Sequence, residues 1–375
     1  MTRPRPAPPA RPLAAWVALC AAALLGACGD SATGPRACTV RLASGCWTFL
    51  GLDGEWITAL AQTPWGVYAG THDDGVFRLV GTSWQSLGLD HAIVSSLLFV
   101  PGPTPRILAG VMPSGNEQTD AAVFASEDGG RTWLPWDGGL AIRNGRRAWA
   151  YSLAIDPGDP NRLYMGESYP ILRSRDGGIS WEFVYLTQDD QGQGVHAILV
   201  SPQRDGHVWA AGGTALFTAF VVRSADWGNT WEFADPTPTL ENTVQALAVD
   251  PSHSDRLWAG LSGVFGGVVR SEDAGRTWAY VLGPRAGGWV YALMLLNGAL
   301  YAVSSDNFRQ SPTMSALTLA DLGLYRTRDG GETWDTLPVP EGAGGGQTIA
   351  LDSEGRLLIG TRLGTRGTGV WRLKP

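Results

Sequence analysis

An all-β fold built from repeated four-stranded antiparallel sheets is predicted by three observations. An eight-residue segment ending in Trp recurs five times: SEDGGRTW (126–133), SRDGGISW (174–181), SADWGNTW (224–231), SEDAGRTW (271–278) and TRDGGETW (327–334). Its aspartates, Asp128, Asp176, Asp226, Asp273 and Asp329, are spaced by 48, 50, 47 and 56 residues. That period signals a repeat architecture, and it suits four strands and their turns. The 375 residues include 50 Gly and 17 Trp, with only 17% charged, a composition for short strands and tight turns.

The first 27 residues stand apart from the repeats. Arg3, Arg5 and Arg11 precede an apolar run from Leu13 to Ala27. The run is short of the roughly 20 residues a membrane span needs, and the pattern is that of an export signal. Its end, LLGAC, resembles the lipobox of bacterial lipoproteins. That resemblance implies cleavage before Cys28 and a lipid on the Cys28 thiol; the alternative is an ordinary signal peptide followed by a chance cysteine. Residues 28–45 then form a short linker that holds the folded part near its membrane, with the outer membrane or cell surface favoured over the inner membrane. Cys38 and Cys46 are an even pair in an oxidising compartment and are expected to form a disulfide. Two free thiols, or a metal pair lacking its other ligands, are the alternatives.

From Cys46 onward the units follow in order. In 243–281, VQALAVD reads as a first strand, RLWAGL as a second, GGVVRS as a third and TWAYV as a fourth, with turns between them. Residues 151–166 and 196–212 repeat the first half of that unit. Weaker copies occupy 57–87, the stretch leading to the first repeat, and the stretch leading to the last. The final copy, from Thr348, has only three strands, while CWTFLGL at 46–52 is a strand without its sheet. Pairing the two closes a ring and leaves no open edge. The expectation is a seven-bladed β-propeller over 46–375, closed by an N-terminal strand in the last blade.

Turn chemistry alone explains the repeated segment. Its Asp can fold back onto following N–H groups, its Gly residues supply positive φ, and its Trp buries a large ring. The segment resembles the Asp-box, or bacterial neuraminidase, repeat of sialidases, sortilin-type receptors, xyloglucan-cleaving enzymes and photosystem assembly factors. The resemblance implies a β-propeller with each box between the third and fourth strands, in a structural role. Five calcium or sugar sites are the competing reading, and a carboxylate already satisfied by its own backbone is a poor calcium ligand.

A ligand face is therefore expected at the other end of the sheets. Its candidates are Arg146, Arg147, Trp149, Glu167, Tyr169, His196, Arg285 and Trp289, with Arg143, Tyr151, Tyr291, Asp189 and Asp190 from the same loops and His72, Asp73 and Asp74 from THDDG. Arginine, aromatic and carboxylate side chains together suit a sugar or an acidic group. A long insertion at 304–323 marks a further binding element. The favoured function is non-enzymatic binding of an envelope protein or glycan, in recognition or assembly. The alternative is a sialidase-like exo-glycosidase; a xyloglucanase-like enzyme is a third class, disfavoured because that family works between two propellers. Catalytic residues are not assigned. No cofactor, no metal and no nucleic-acid partner is expected of a chain with net charge −7 and five His, and the folded part is expected to be a monomer.

Overall fold

The computed structural model describes residues 47–113, 121–140, 148–168, 170–186, 194–213, 218–234, 242–286, 288–306, 321–362 and 367–374. The stretches expected to be an export signal and a linker, with Cys28, Cys38 and Cys46, lie outside the described residues, as does most of the 304–323 insertion.

Every regular element among the described residues is a strand. β1 (Trp47–Gly51) comes first. One sheet follows as β2 (Ile57–Thr63), β3 (Gly66–Thr71), β4 (Val76–Val80) and β5 (Ser83–Ser86). The next holds β6 (Ala92–Val100), β7 (Arg106–Pro113), β8 (Val123–Ser126) and β9 (Leu134–Pro135). The third holds β10 (Ser152–Asp156), β11 (Asp159–Gly166), β12 (Pro170–Ser174) and β13 (Glu182–Leu186). The fourth holds β14 (Gly194–Val200), β15 (Val208–Gly213), β16 (Ala219–Ser224) and β17 (Glu232–Ala234). Two further meanders are β18 (Asn242–Asp250), β19 (His253–Gly263), β20 (Phe265–Ser271) and β21 (Ala279–Ala286), then β22 (Gly288–Leu296), β23 (Ala299–Asp306), β24 (Asp321–Thr327) and β25 (Asp335–Thr336). A single pair, Ser262 opposite Trp289, joins these two into one eight-stranded sheet. The last sheet is β26 (Gly345–Leu351), β27 (Leu357–Arg362) and β28 (Val370–Leu373), completed by β1 from the other end of the chain.

All the ladders are antiparallel, so the connections alternate ends. First-to-second and third-to-fourth turns share one end of each sheet. Second-to-third turns and the links to the next sheet share the other. All five repeated segments connect third to fourth strands, as expected. First strands pack in succession, β2 on β6, β6 on β10, β10 on β14, β14 on β18, β18 on β22, β22 on β26, and β26 back on β2.

Adjacent sheets bury their apolar residues between them. Trp209 and Val221 of the fourth sheet pack with Val244, Leu257 and Ala259 of the next meander. The seam between first and last sheets is filled the same way, by Ile57 and Ala69 with Val370, and by Val67 with Ala350 and Leu358. Close approach requires glycine on the second strands. A Cβ on Gly260 would lie 2.9 Å from Val290 Cγ1, and one on Gly360 would lie 2.6 Å from Ile57 Cγ2.

The repeated turn is a hydrogen-bonded knot. In the first copy, Asp128 Oδ1 accepts from Ser126 Oγ (2.8 Å), Arg131 N (2.9 Å) and Thr132 N (3.0 Å). Its Oδ2 accepts from Thr132 Oγ1 at 2.7 Å, and Ser126 Oγ accepts from Gly130 N at 2.7 Å. The other four copies repeat this arrangement at Asp176, Asp226, Asp273 and Asp329. The two residues after each Asp are left-handed. Trp227 (φ 56) and Ala274 (φ 60) adopt that conformation where glycine is missing, at a cost of about 1 kcal/mol.

The knot also holds the preceding sheet. The carbonyl after each Asp accepts from the second strand of the sheet before it. The donors are Tyr68 Oη to Gly129 O (2.9 Å), Arg106 Nη2 to Gly177 O (2.9 Å), Tyr164 Oη to Trp227 O (3.0 Å), Trp209 Nε1 to Ala274 O (2.9 Å) and Trp258 Nε1 to Gly330 O (3.0 Å). Burial pushes the Tyr164 phenol up to about 12, so it stays a donor. Trp209 and Trp258 are both buried; truncating either to Ala would cost about 3–5 kcal/mol.

Candidate functional site

The end opposite the repeated turns is built on a recurrent irregularity. Six first strands break register near their start, leaving one residue out of the ladder. The residues are Thr58, Ser95, His196, Gln245, Tyr291 and Gln347. Tyr151 holds the equivalent place before β10, where Gly166 O accepts its N–H while Gly166 also faces Ser152. Such bulges turn a side chain out of the sheet's alternation and re-aim it at the rim. Several of these side chains touch the next first strand: Thr58 Oγ1 donates to Val94 O (2.6 Å), Ser95 Oγ to Ala150 O, and the Tyr151 ring meets His196 at 5.0 Å.

Those sequence-predicted residues that the structure describes fall at this end. Trp149 precedes the bulge residue Tyr151, with ring centroids 6.4 Å apart. Trp289 precedes Tyr291 in the same way, also at 6.4 Å. Glu167 is buried at the second-to-third turn, and its carbonyl accepts from Val195 N at 2.9 Å. His196 is half-buried, and desolvation lowers its imidazole to about 4, so it is neutral at physiological pH. Arg285 lies opposite Gly266 in the β20–β21 ladder; its side chain is outside the described residues. Arg146, Arg147 and Tyr169 are also outside them. The five repeat aspartates are all at the opposite end.

Residues on either side of the closing seam form a denser group. Glu55 and Trp56 precede β2, and His72, Asp73 and Asp74 follow β3. His72 N donates to Trp56 O (3.0 Å), and the two rings stack at 4.2 Å with their planes 5° apart. Asp74 N donates to Thr71 Oγ1 at 3.0 Å, and His91 N to Asp73 O at 3.0 Å, which fixes this turn. His72 Nδ1 lies 3.1 Å from Asp73 Oδ2.

This turn perturbs Glu55. Burial, a hydrogen bond with Asp74, and the negative charges of Asp74 and Asp73 raise its carboxyl from 4.5 to about 7. The group is therefore half protonated near neutrality. Like charges so close cannot all be ionised cheaply, and a carboxyl poised near pH 7 can give or take a proton there.

Arg362, the last residue of β27, also meets Trp56. Its Cζ is 5.6 Å from the Trp56 ring centroid, 5.2 Å from Trp289 and 4.3 Å from Tyr291. Burial raises the Tyr291 phenol, and the neighbouring Arg362 works against that shift. Three sheets thus contribute to one patch that holds a protonatable carboxyl, a guanidinium and three aromatic faces.

Sequence reasoning reached Trp289, Tyr291, His72, Asp73 and Asp74 and missed Glu55, Trp56 and Arg362. Glu55 and Trp56 lie in GLDGEWITAL, and a Glu-Trp pair immediately before a first strand was the available signal. Nothing local marks Arg362. Among the described residues no group of three or more His, Cys, Asp or Glu could hold a metal ion.

No family model matches the chain. Among curated proteins it is 26% identical over 224 residues to an oligoxyloglucan-reducing end-specific xyloglucanase of Emericella nidulans, covering 59% of this chain and 21% of that protein. It is 30% identical over 213 residues to a xyloglucanase of a Paenibacillus species, covering 48% and 20%. The chain thus spans about a fifth of the length of these relatives. Among solved structures, YCF48 from Cyanidioschyzon merolae superposes with a TM-score of 0.60 at 14% identity, covering 88% of this chain and 99% of that one. An ancestral GH74 enzyme superposes with a TM-score of 0.51 at 18% identity, covering 85% and 36%. At such identities the shared feature is the fold, and that fold is the β-propeller.

Proposed function

We propose that this chain is a glycoside hydrolase acting on a β-linked cell-wall glucan of the xyloglucan class, with its site at the seam. The reading moves away from the non-enzymatic binding expected from sequence. The observation that carries it is Glu55, held near half-protonation by burial and by Asp74. A raised carboxyl is what a glycosidase needs to protonate the leaving oxygen. In this reading Glu55 gives its proton to that oxygen, Asp74 keeps the proton in place, and Asp73 is the second carboxylate. Trp56 and Trp289 supply faces on which sugar rings stack. The xyloglucanases to which the chain is similar support the substrate class.

The test is turnover of xyloglucan oligosaccharides by the purified protein, with sialosides as comparison substrates. Glu55→Gln should lower kcat by about 100-fold or more, the usual worth of general acid catalysis. The wild-type rate should fall above pH 7 as Glu55 loses its proton. An unchanged rate in Glu55→Gln would sink the assignment.

One observation favours a second reading, binding without turnover. Glu55 is hydrogen-bonded directly to Asp74, whereas glycosidase carboxyls typically flank the scissile bond at about 5–9.5 Å. Glycan-array binding with no hydrolysis would select this reading.

We also propose that the ring is seven-bladed, and that the repeated turns are Asp-boxes in a structural role. The closed succession of first strands and the knots at the third-to-fourth turns support both. Export and anchoring through a lipid on Cys28 remain part of the proposal, supported by the basic and apolar N-terminal pattern and LLGAC. Cys28→Ser should then release the protein from membranes.

A further inference from the structure

We propose that Arg362 is a subsite for a sugar carboxylate, so that the preferred glycan carries a uronic acid. The proposal rests on the glycan reading above and narrows its substrate. It starts from a cation that has no carboxylate partner among the described residues. Arg162, Arg256, Arg270, Arg326 and Arg356 each reach a carboxylate of this chain. Among the described residues Arg362 reaches none: its partners are the faces of Tyr291, Trp289 and Trp56 and the Tyr291 hydroxyl. Aromatic faces position a guanidinium, and the in-plane N–H donors that the Tyr291 hydroxyl does not take are left for an anion.

Donors without acceptors lie in the same neighbourhood. Trp56 Nε1 and Ser305 Oγ are buried and have no hydrogen-bond partner among the described residues. Trp56 carries the guanidinium, and Ser305 faces Trp289 across the β22–β23 ladder. The cluster offers donors and aromatic surface, while Asp73 and Asp74 follow His72, whose ring stacks on Trp56, and Glu55 adjoins Trp56 in the chain. A planar carboxylate is the anion that a guanidinium binds through two parallel hydrogen bonds. The indole faces beside it suit the C–H face of the sugar that bears this carboxylate. The shape therefore fits a uronic acid better than a bare inorganic anion.

Calorimetric titration of the full chain with paired oligosaccharides tests this. One of the pair carries a single glucuronic acid and the other is its uncharged equivalent. The acidic member should bind about tenfold tighter at low salt, and the ratio should shrink as salt rises. Arg362→Met should bring the ratio to about one, and Arg362→Lys should keep part of it, with melting temperatures confirming that both variants fold. Equal affinities in the wild type, or a preference that survives Arg362→Met, would overturn the proposal. So would capture of a peptide C-terminal carboxylate without the uronate. Methyl glucuronide binding, followed by ligand-observed NMR, separates this idea from the enzymatic one. Neutral xyloglucan turnover without uronate preference removes only the subsite. Uronate binding lost in Arg362→Met, without any turnover, removes only the hydrolase.

Discussion

Trp47 and Leu373, from opposite ends of the described chain, face each other in the antiparallel pair of β1 and β28. Trp47 also donates Nε1–H to Pro338 O at 3.0 Å and packs into a cluster with Val303, Leu324 and Ile359. One side chain thus closes the last sheet and joins it to its neighbour. Trp47→Ala should destabilise the fold by about 3–5 kcal/mol, read as a lower urea midpoint. An unchanged midpoint would mean that the seam contributes little to stability.

Gly360 tests the same seam sterically. An added methyl group would meet Ile57 and Thr348 at 2.6 Å. Gly360→Ala should cost about 1–3 kcal/mol by overpacking. A thermal scan showing no loss would indicate that first and last sheets can separate without penalty.

The repeated turns are expected to support stability and leave ligand binding alone. Asp273 accepts from Ser271 Oγ, Arg276 N, Thr277 N and Thr277 Oγ1. Asp273→Ala should cost about 2 kcal/mol, since hydrogen bonds to a charged acceptor in a partly exposed turn are worth about 1.5–3 kcal/mol. Glycan affinity should not change; a variant with normal stability and lost binding would make the turn a ligand site.

The same knots set an acid limit. At Asp128 and Asp226 the leading cause is the N–H of Thr132 and of Thr230, which together with the hydroxyls lowers each carboxyl to about 2. At Asp273 burial pushes upward, but the hydrogen bonds outweigh it and the value is again about 2. Each folded pKa lies below the ordinary 3.8. Their stabilisation is therefore present above about pH 4 and lost as pH falls toward 2. Denaturant midpoints recorded across that range should fall, and Asp273→Ala should flatten the slope.

Glu55 has the opposite sign. Its folded pKa is raised from 4.5 to about 7, so the folded state holds a proton that the unfolded state has released. Its stability contribution is present below pH 4.5 and lost as pH rises to 7 and beyond. Glu55→Gln should make the protein relatively more stable at pH 8 than at pH 4, when each is compared with wild type. Equal differences at both pH values would contradict the raised carboxyl.

The features legible in the sequence are those made by neighbours in the chain. The Asp128 knot closes within four residues, so Ser-Glu-Asp-Gly-Gly-Arg-Thr already contains its donors and its acceptor. The strand order of each sheet follows from turns of a few residues, and even the β1–β28 pairing could be read, because a lone strand and a sheet lacking one complement each other. The Tyr68, Tyr164, Trp209 and Trp258 donors are not legible in the sequence, because their acceptors belong to another sheet.

By itself the sequence determined the repeating unit, the turn that pins it and the end of the sheets where ligands are expected. Only the tertiary structure decided that Glu55 meets Asp74 and that Arg362 lies among Trp56, Trp289 and Tyr291. The physical reason is that turns are satisfied by hydrogen bonds over a few residues, whose pattern the chain spells out. A perturbed carboxyl and a guanidinium held among aromatic rings depend on burial and charge across sheets, which exist only once the ring has closed.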